Sequence, residues 1–207
     1  MKFFGLLFAG LMFMAGSAQA AVLSLNGVGT PSVVPGNFDP SGFPGLVSPG
    51  DAINIFGSGD AGFGLTLSSV ATLKFEFLGS EAGFNNTFDL GGQIFSTVSS
   101  AVGDSASVLA AGGLIPFIFQ TSGNGGLSAT NGGPIAAGIS IAFADLGDGS
   151  FLAMFNDGGG GDFDFDDLVV RVSVSAVPLP AAAWLLISAI LGLVSFSRVR
   201  RSGAQTA

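Results

Sequence analysis

From Thr72 to Leu78 the chain alternates without a break, with Leu73, Phe75 and Phe77 on one side and Thr72, Lys74 and Glu76 on the other. A period of two over this length predicts a strand with one buried and one wet face, and makes Lys74 and Glu76 solvent-facing. Further strands are predicted at 22–25, 53–56, 64–70, 88–90, 94–98, 105–109, 114–120, 135–143, 151–155 and 168–174, nearly all separated by turn-forming residues. Between 21 and 64 the chain is broken repeatedly by Gly, Pro, Asn and Ser, so only two short strands and long turns are expected there. Many short strands, Gly-rich turns and no amphipathic helix predict an all-β chain, an antiparallel β-sandwich of jelly-roll type.

Two stretches lack this alternation. Lys2 is followed by an apolar run from Phe3 to Ala15, and small residues then occupy Ala18 and Ala20. That order predicts a secretory signal peptide over 1–20, cleaved between Ala20 and Ala21, with an uncleaved signal anchor as the alternative. At the other end Val177, Pro178, Leu179 and Pro180 precede an uncharged run over 181–196, followed by Arg198, Arg200 and Arg201. The prolines stop the preceding strand. The apolar run can satisfy its backbone internally in lipid, which predicts one transmembrane helix over 181–196. Counted from Leu179 to Phe196 it has 18 residues, or about 27 Å, marginally short of a bilayer core of about 30 Å; snorkelling and local thinning close such a gap. A buried helix of a globular domain is the alternative, and the flanking arginines favour an anchor with its basic end in the cytoplasm. The middle segment, 21–176, is the exported domain.

Composition sharpens this division. All 14 acidic residues lie between 21 and 176, against Lys74 and Arg171, so that segment carries a formal charge of −12 while the whole chain has −8. A surface so acidic repels nucleic acid and anionic lipid and attracts divalent cations. Cysteine and histidine are absent, which removes disulfides, thiolate and imidazole metal ligands, and nucleophile–histidine catalysis. Any metal must be held by oxygen, as calcium is. Tyrosine is absent and phenylalanine occurs 21 times, so the expected core is built on phenylalanine. The 34 glycines show no fixed period, which excludes collagen and solenoid architectures.

One exported segment carries candidate chemistry: Asn156-Asp157, four glycines, then Asp162-Phe163-Asp164-Phe165-Asp166-Asp167 leading into Leu168. In an extended chain the carboxylates of Asp162, Asp164 and Asp166 share a face at about 6–7 Å and repel one another unless a cation lies among them. Calcium prefers such hard oxygens, and the glycines let Asp157 curl in, so Asp157, Asp162, Asp164, Asp166 and Asp167 form the candidate ligand set. Two other readings stand beside it: Asx turn capping, and a catalytic carboxylate pair. An EF-hand does not fit, because Asp167 stands where the loop needs Gly and Ser173 where it needs Glu. A second acidic stretch, Asp145-Leu146-Gly147-Asp148-Gly149, reads first as a hairpin turn and could approach the same end of the domain.

The segment from about Phe151 to Val174 resembles the D-x-D-[FY]-[ND]-D-[LVI]-V turn that closes a β-sandwich domain of many secreted bacterial proteins. That resemblance implies a last core strand over 168–174 and calcium in the turn. The signal peptide, the V-P-L-P motif at Val177 to Pro180, the apolar run and the terminal arginines together resemble the PEP-CTERM family of sorting signals in its VPLPA variant. Leu179 stands where the commoner form has Glu, which leaves open which sorting enzyme acts. The resemblance implies a Gram-negative bacterium, recognition by an exosortase-like membrane protease, a transient membrane anchor, and delivery to the cell surface or an extracellular polysaccharide matrix. The function expected is a non-enzymatic structural or adhesion protein of that matrix. A calcium-dependent carbohydrate-binding module is the alternative, weakened because the only Trp lies in the anchor; a carboxylate glycosidase is a third.

Overall fold

The computed structural model describes residues 20–39, 45–159, 163–175 and 189–190. The predicted signal peptide up to residue 19, the motif Val177 to Pro180 and the arginines Arg198, Arg200 and Arg201 lie outside the described residues; Ala189 and Ile190 are helical. The chain divides into two compact units, Met1–Ser175 and Ala176–Ala207.

The described residues of the first unit are all-β, with every strand pairing antiparallel. A seven-stranded sheet runs β2 (Thr30–Val33), β3 (Ala52–Phe56), β12 (Ser140–Asp145), β13 (Phe151–Asn156), β14 (Leu168–Val174), β5 (Ala71–Gly79), β8 (Ser105–Ala110). A four-stranded sheet runs β11 (Ser128–Thr130), β10 (Ile118–Thr121), β6 (Asn86–Asp89), β7 (Gln93–Ser96), and a three-stranded one β1 (Leu23–Asn26), β4 (Gly64–Leu67), β9 (Gly113–Leu114).

Strand β5 forms as its alternation dictates. Leu73, Phe75 and Phe77 are buried, while Lys74 and Glu76 pair at 3.0 Å on the half-exposed face. At the sheet centre, β12 and β13 are buried on both faces, and successive residues divide between two apolar clusters. Ile141, Phe143, Phe151, Ala153 and Phe155 enter the first; Ala142, Ala144, Leu152 and Met154 enter the second. Since neighbours on a strand point oppositely, the clusters occupy opposite faces of the sheet.

All three sheets contribute to the first cluster, which is a phenylalanine core. Phe88 lies among Phe75, Phe95, Phe117 and Phe119, with ring centroids 5.1 to 6.0 Å away. Phe119 of the four-stranded sheet stacks on Phe155 of the seven-stranded one at 5.0 Å. The second cluster is covered by non-sheet chain: Val34, Phe38 and Val47 from the segment after β2, and Phe165 from the acidic turn.

Four predicted strands are cut back, 94–98 among them, since β7 ends at Ser96. The run 114–120 splits into β9 and β10 around Pro116, which has no N–H to give to a ladder. Buried Asn131 bridges the interruption, accepting from the Leu65 N–H and donating to the carbonyls of Leu65 and Ile115. Gly138 breaks 135–143 with a φ of 92°, so β12 starts at Ser140, and β4 ends at Leu67. Two strands, β2 and β11, have no counterpart in the expected set: TPSV and SAT show no apolar alternation.

Candidate acidic-turn site

The turn 157–167 joins the end of β13 to the start of β14 at one end of the seven-stranded sheet. Gly158 opens it at a φ of 71°, and a Cβ there would collide with the carbonyl oxygen of Gly138. Asp162 lies outside the described residues. The described half is not the extended stretch expected, because Phe163 and Phe165 both adopt left-handed backbone, with φ of 53° and 70°. Such a conformation costs a bulky residue about 1–3 kcal/mol. Burial offsets it at Phe165, which is 1 % exposed within the second cluster. Phe163 stays half exposed and meets the Phe165 ring edge-on at 4.9 Å.

Alternate side chains of this turn therefore have different jobs: Phe165 anchors it, and Asp164 and Asp166 come together for a different reason than strand pleat. One oxygen each from Asp164, Asp166 and Glu81 lie within 4.8 Å of one another. Asp164 is 5 % and Asp166 1 % exposed, whereas Glu81 is exposed. Asp166 Oδ2 accepts from the Asp39 N–H at 2.7 Å, and its backbone carbonyl accepts from the Glu81 N–H at 2.9 Å. Asn37 Nδ2 donates to Asp164 Oδ2 at 3.4 Å. The other oxygen, Asp164 Oδ1, is buried with no hydrogen-bond partner. Burial raises the Asp166 carboxyl to about 7, opposed by the Asp39 N–H and reinforced by Asp164 and Glu81.

Asp157 and Asp167 enter a separate network. Asp157 Oδ2 accepts from Asn86 Nδ2 at 2.8 Å and Oδ1 from the Gly159 N–H at 2.7 Å. Asp167 Oδ2 accepts from the Asp157 N–H at 2.8 Å, and Asn86 Nδ2 also reaches the Asp167 carbonyl at 3.4 Å. Fully buried Asn86, at the start of β6, thus ties both ends of the turn to the four-stranded sheet.

The stretch from Asp145 to Gly149 forms the β12–β13 hairpin. It lies at the other end of the sheet from the acidic turn, because β13 runs its full length between them. Asp148 accepts from Ser150 N–H and Oγ and pairs with Arg171 Nη2 at 2.6 Å. The Ser150 hydrogen bonds, with Arg171, hold its carboxyl below the usual range. Of the predicted cleavage residues, Ala18 lies outside the described residues, Ala20 is exposed, and Ala21 packs against the first cluster.

Sequence reasoning did not reach Glu81, Asn37, Asp39 or Asn86, all of them 70 or more positions from their turn partners. The one local signal was the paired asparagines of Phe84-Asn85-Asn86-Thr87-Phe88, polar residues leading directly into an apolar strand.

The oxygens that Asp164, Asp166 and Glu81 bring together are all carboxylate, and among the described residues Asp164 Oδ1 has no hydrogen-bond partner. Hard oxygens, two of three residues buried, fit a calcium-like divalent cation. Comparison of the chain with family models, with curated proteins and with solved structures finds no match.

Proposed function

We propose that the chain is an exported, non-enzymatic surface or matrix protein of a Gram-negative bacterium, in which residues 21–176 form a calcium-stabilised antiparallel β-sandwich and residues 177–201 a sorting tail. The observation that carries the calcium part is the buried, partnerless Asp164 Oδ1 beside Asp166 and Glu81. An unpaired buried carboxylate is costly, and a cation shared among the three removes the cost. Asp164, Asp166 and Glu81 would hold it, and the ion would supply positive charge that lets both buried aspartates stay ionised.

This placement favours a structural role over a glycosidase. Asp166 and Asp164 are engaged by Asp39 and Asn37, so charge at the turn fastens the segment after β2 over the second apolar cluster. The tail reading rests on the V-P-L-P motif, the uncharged run and the arginines. An exosortase-like protease would then release the domain from its transient anchor to the surface or to an extracellular polysaccharide matrix.

The C-terminal mass of the full chain, expressed with and without an exosortase system, tests the sorting part. The reading predicts a product shortened near residues 177–180 only when the system is present; an intact tail in both would reduce the segment to an ordinary anchor. Equilibrium dialysis against calcium tests the rest, with about one ion per chain expected.

A further inference from the structure

Asparagine is followed by glycine at three places in the chain, Asn26, Asn124 and Asn131. Such a step loses its side-chain amide most readily, because a glycine has no side chain to keep its backbone nitrogen from the asparagine Cγ. The fold treats the three differently. Asn131 is buried, its Oδ1 accepting from the Leu65 N–H and its Nδ2 donating to the carbonyls of Leu65 and Ile115, while the Leu114 side chain packs on Gly132. Asn26 ends β1 in register with Gly64; its Nδ2 donates to the Gly62 carbonyl at 3.1 Å, and the Phe63 ring covers Gly27. Neither can turn its Cγ toward the next nitrogen without breaking a ladder or a buried network. Asn124 lies in the loop between β10 and β11, exposed together with Gly125 and Gly126. All three are left-handed, with φ of 50°, 85° and 82°, and a Cβ on either glycine would meet nothing within 4 Å. The Gly126 N–H closes the turn on the Gly123 carbonyl at 2.9 Å, whereas among the described residues no hydrogen bond holds the Gly125 N–H. The Asn124 side chain reaches across to the acidic turn, its Nδ2 donating to the Asp157 carbonyl at 3.2 Å.

We propose that Asn124 is a site of spontaneous deamidation, and that the change unfastens the β10–β11 loop from the acidic turn. Hydroxide takes the Gly125 amide proton, the bared nitrogen bonds to Asn124 Cγ, and the Cγ–Nδ2 bond breaks, Nδ2 leaving as ammonia with a proton from water. Water then opens the resulting succinimide at either carbonyl, giving aspartate or isoaspartate. In sum a water is consumed and an ammonia released, with no change of oxidation state. The left-handed turn must open for the ring to close, and two glycines in open space let it do so with no side chain to displace. Either product puts a carboxylate where the Nδ2 donor stood. Acceptor then faces acceptor at the Asp157 carbonyl, in a domain that already carries −12. The isoaspartate also lengthens the main chain by a methylene.

The test follows the three asparagines of the full chain by peptide mass and isoaspartate detection, in mildly alkaline buffer, folded and in urea. In the folded chain position 124 is expected to deamidate about tenfold or more faster than positions 26 and 131, a barrier difference of about 1.4 kcal/mol. In urea the three should react at similar rates. Equal rates in the folded chain, or a lead by position 26 or 131, would overturn the site. So would a folded chain that keeps Asn124 intact over the time in which urea exposes it to loss. The same order in urea would assign the preference to local sequence and overturn it equally. Asn124→Asp places the straight-chain product in an otherwise unchanged chain. It should speed hydrogen exchange of the Gly159 amide, which Asp157 Oδ1 holds, by about threefold or more over the wild type. An unchanged exchange rate would overturn the unfastening.

Discussion

Asp157 and Asp167 sit in the same turn as Asp164 and Asp166, are buried to a similar degree, and are satisfied to different extents by the fold. The first pair is met by N–H donors: Asn86, Gly159 and the Asp157 backbone itself. The second pair is met more sparingly: Asp166 accepts from the Asp39 N–H and Asp164 Oδ2 from Asn37 at a long 3.4 Å, both carboxylates lie close to Glu81, and among the described residues Asp164 Oδ1 has no hydrogen-bond partner. Burial of a carboxylate therefore says little about a cation. What distinguishes the pairs is whether the protein supplies hydrogen to the oxygens or leaves more acceptors than donors.

That comparison can be broken at several points. The largest effect is expected from Phe165→Ala, which removes the anchor common to both halves of the turn and leaves a cavity. Unfolding by urea should show a loss of about 3–5 kcal/mol, with or without calcium. Asp157→Ala comes next. It strands the Asn86 amide and the Gly159 N–H, and a loss of about 1–3 kcal/mol is expected, again independent of calcium.

Asp164→Asn should separate the pairs. In chelator it relieves repulsion and is neutral or stabilising, while calcium no longer raises the stability. The titration of Asp166 sharpens the same point. Its carboxyl is raised in the folded protein to about 7 from an ordinary value of 3.8, so the folded state holds a proton that the unfolded state releases. Without calcium, stability should therefore fall as pH rises from about 4 to about 7, the window between the two values. Asp166→Asn should flatten that slope in a urea series at fixed chelator. The smallest effect belongs to the exposed pair on β5: Lys74→Ala should change stability by less than about 1 kcal/mol.

The parts legible in the sequence were those governed by near neighbours. Strict alternation placed β5 and its faces, and the apolar runs placed β13 and the Ser140–Phe143 part of β12, because side-chain direction in a strand depends only on position parity. Burial of both faces of β12 and β13 was not legible, since it depends on Phe38 and Phe165 arriving from elsewhere. The turn shows the same limit. Aspartates at alternate positions suggested a shared face of an extended chain, and Asp164 and Asp166 are indeed adjacent. Their adjacency arises instead from left-handed backbone at Phe163 and Phe165, a conformation that the identity of a phenylalanine disfavours. Only the apolar pocket that receives Phe165 explains it. Glu81 and Asn86 carry no periodic signal, so long-range contacts alone assign them to the turn.

The most direct test of the calcium account is thermal unfolding of the full chain and of Asp164→Asn, each in chelator and in calcium at about 100 times the dissociation constant. The wild type should gain about 2.7 kcal/mol of stability with calcium, and Asp164→Asn nothing. Superimposable wild-type curves across millimolar calcium would contradict the account, and would leave the buried Asp164 oxygen without the partner assigned to it.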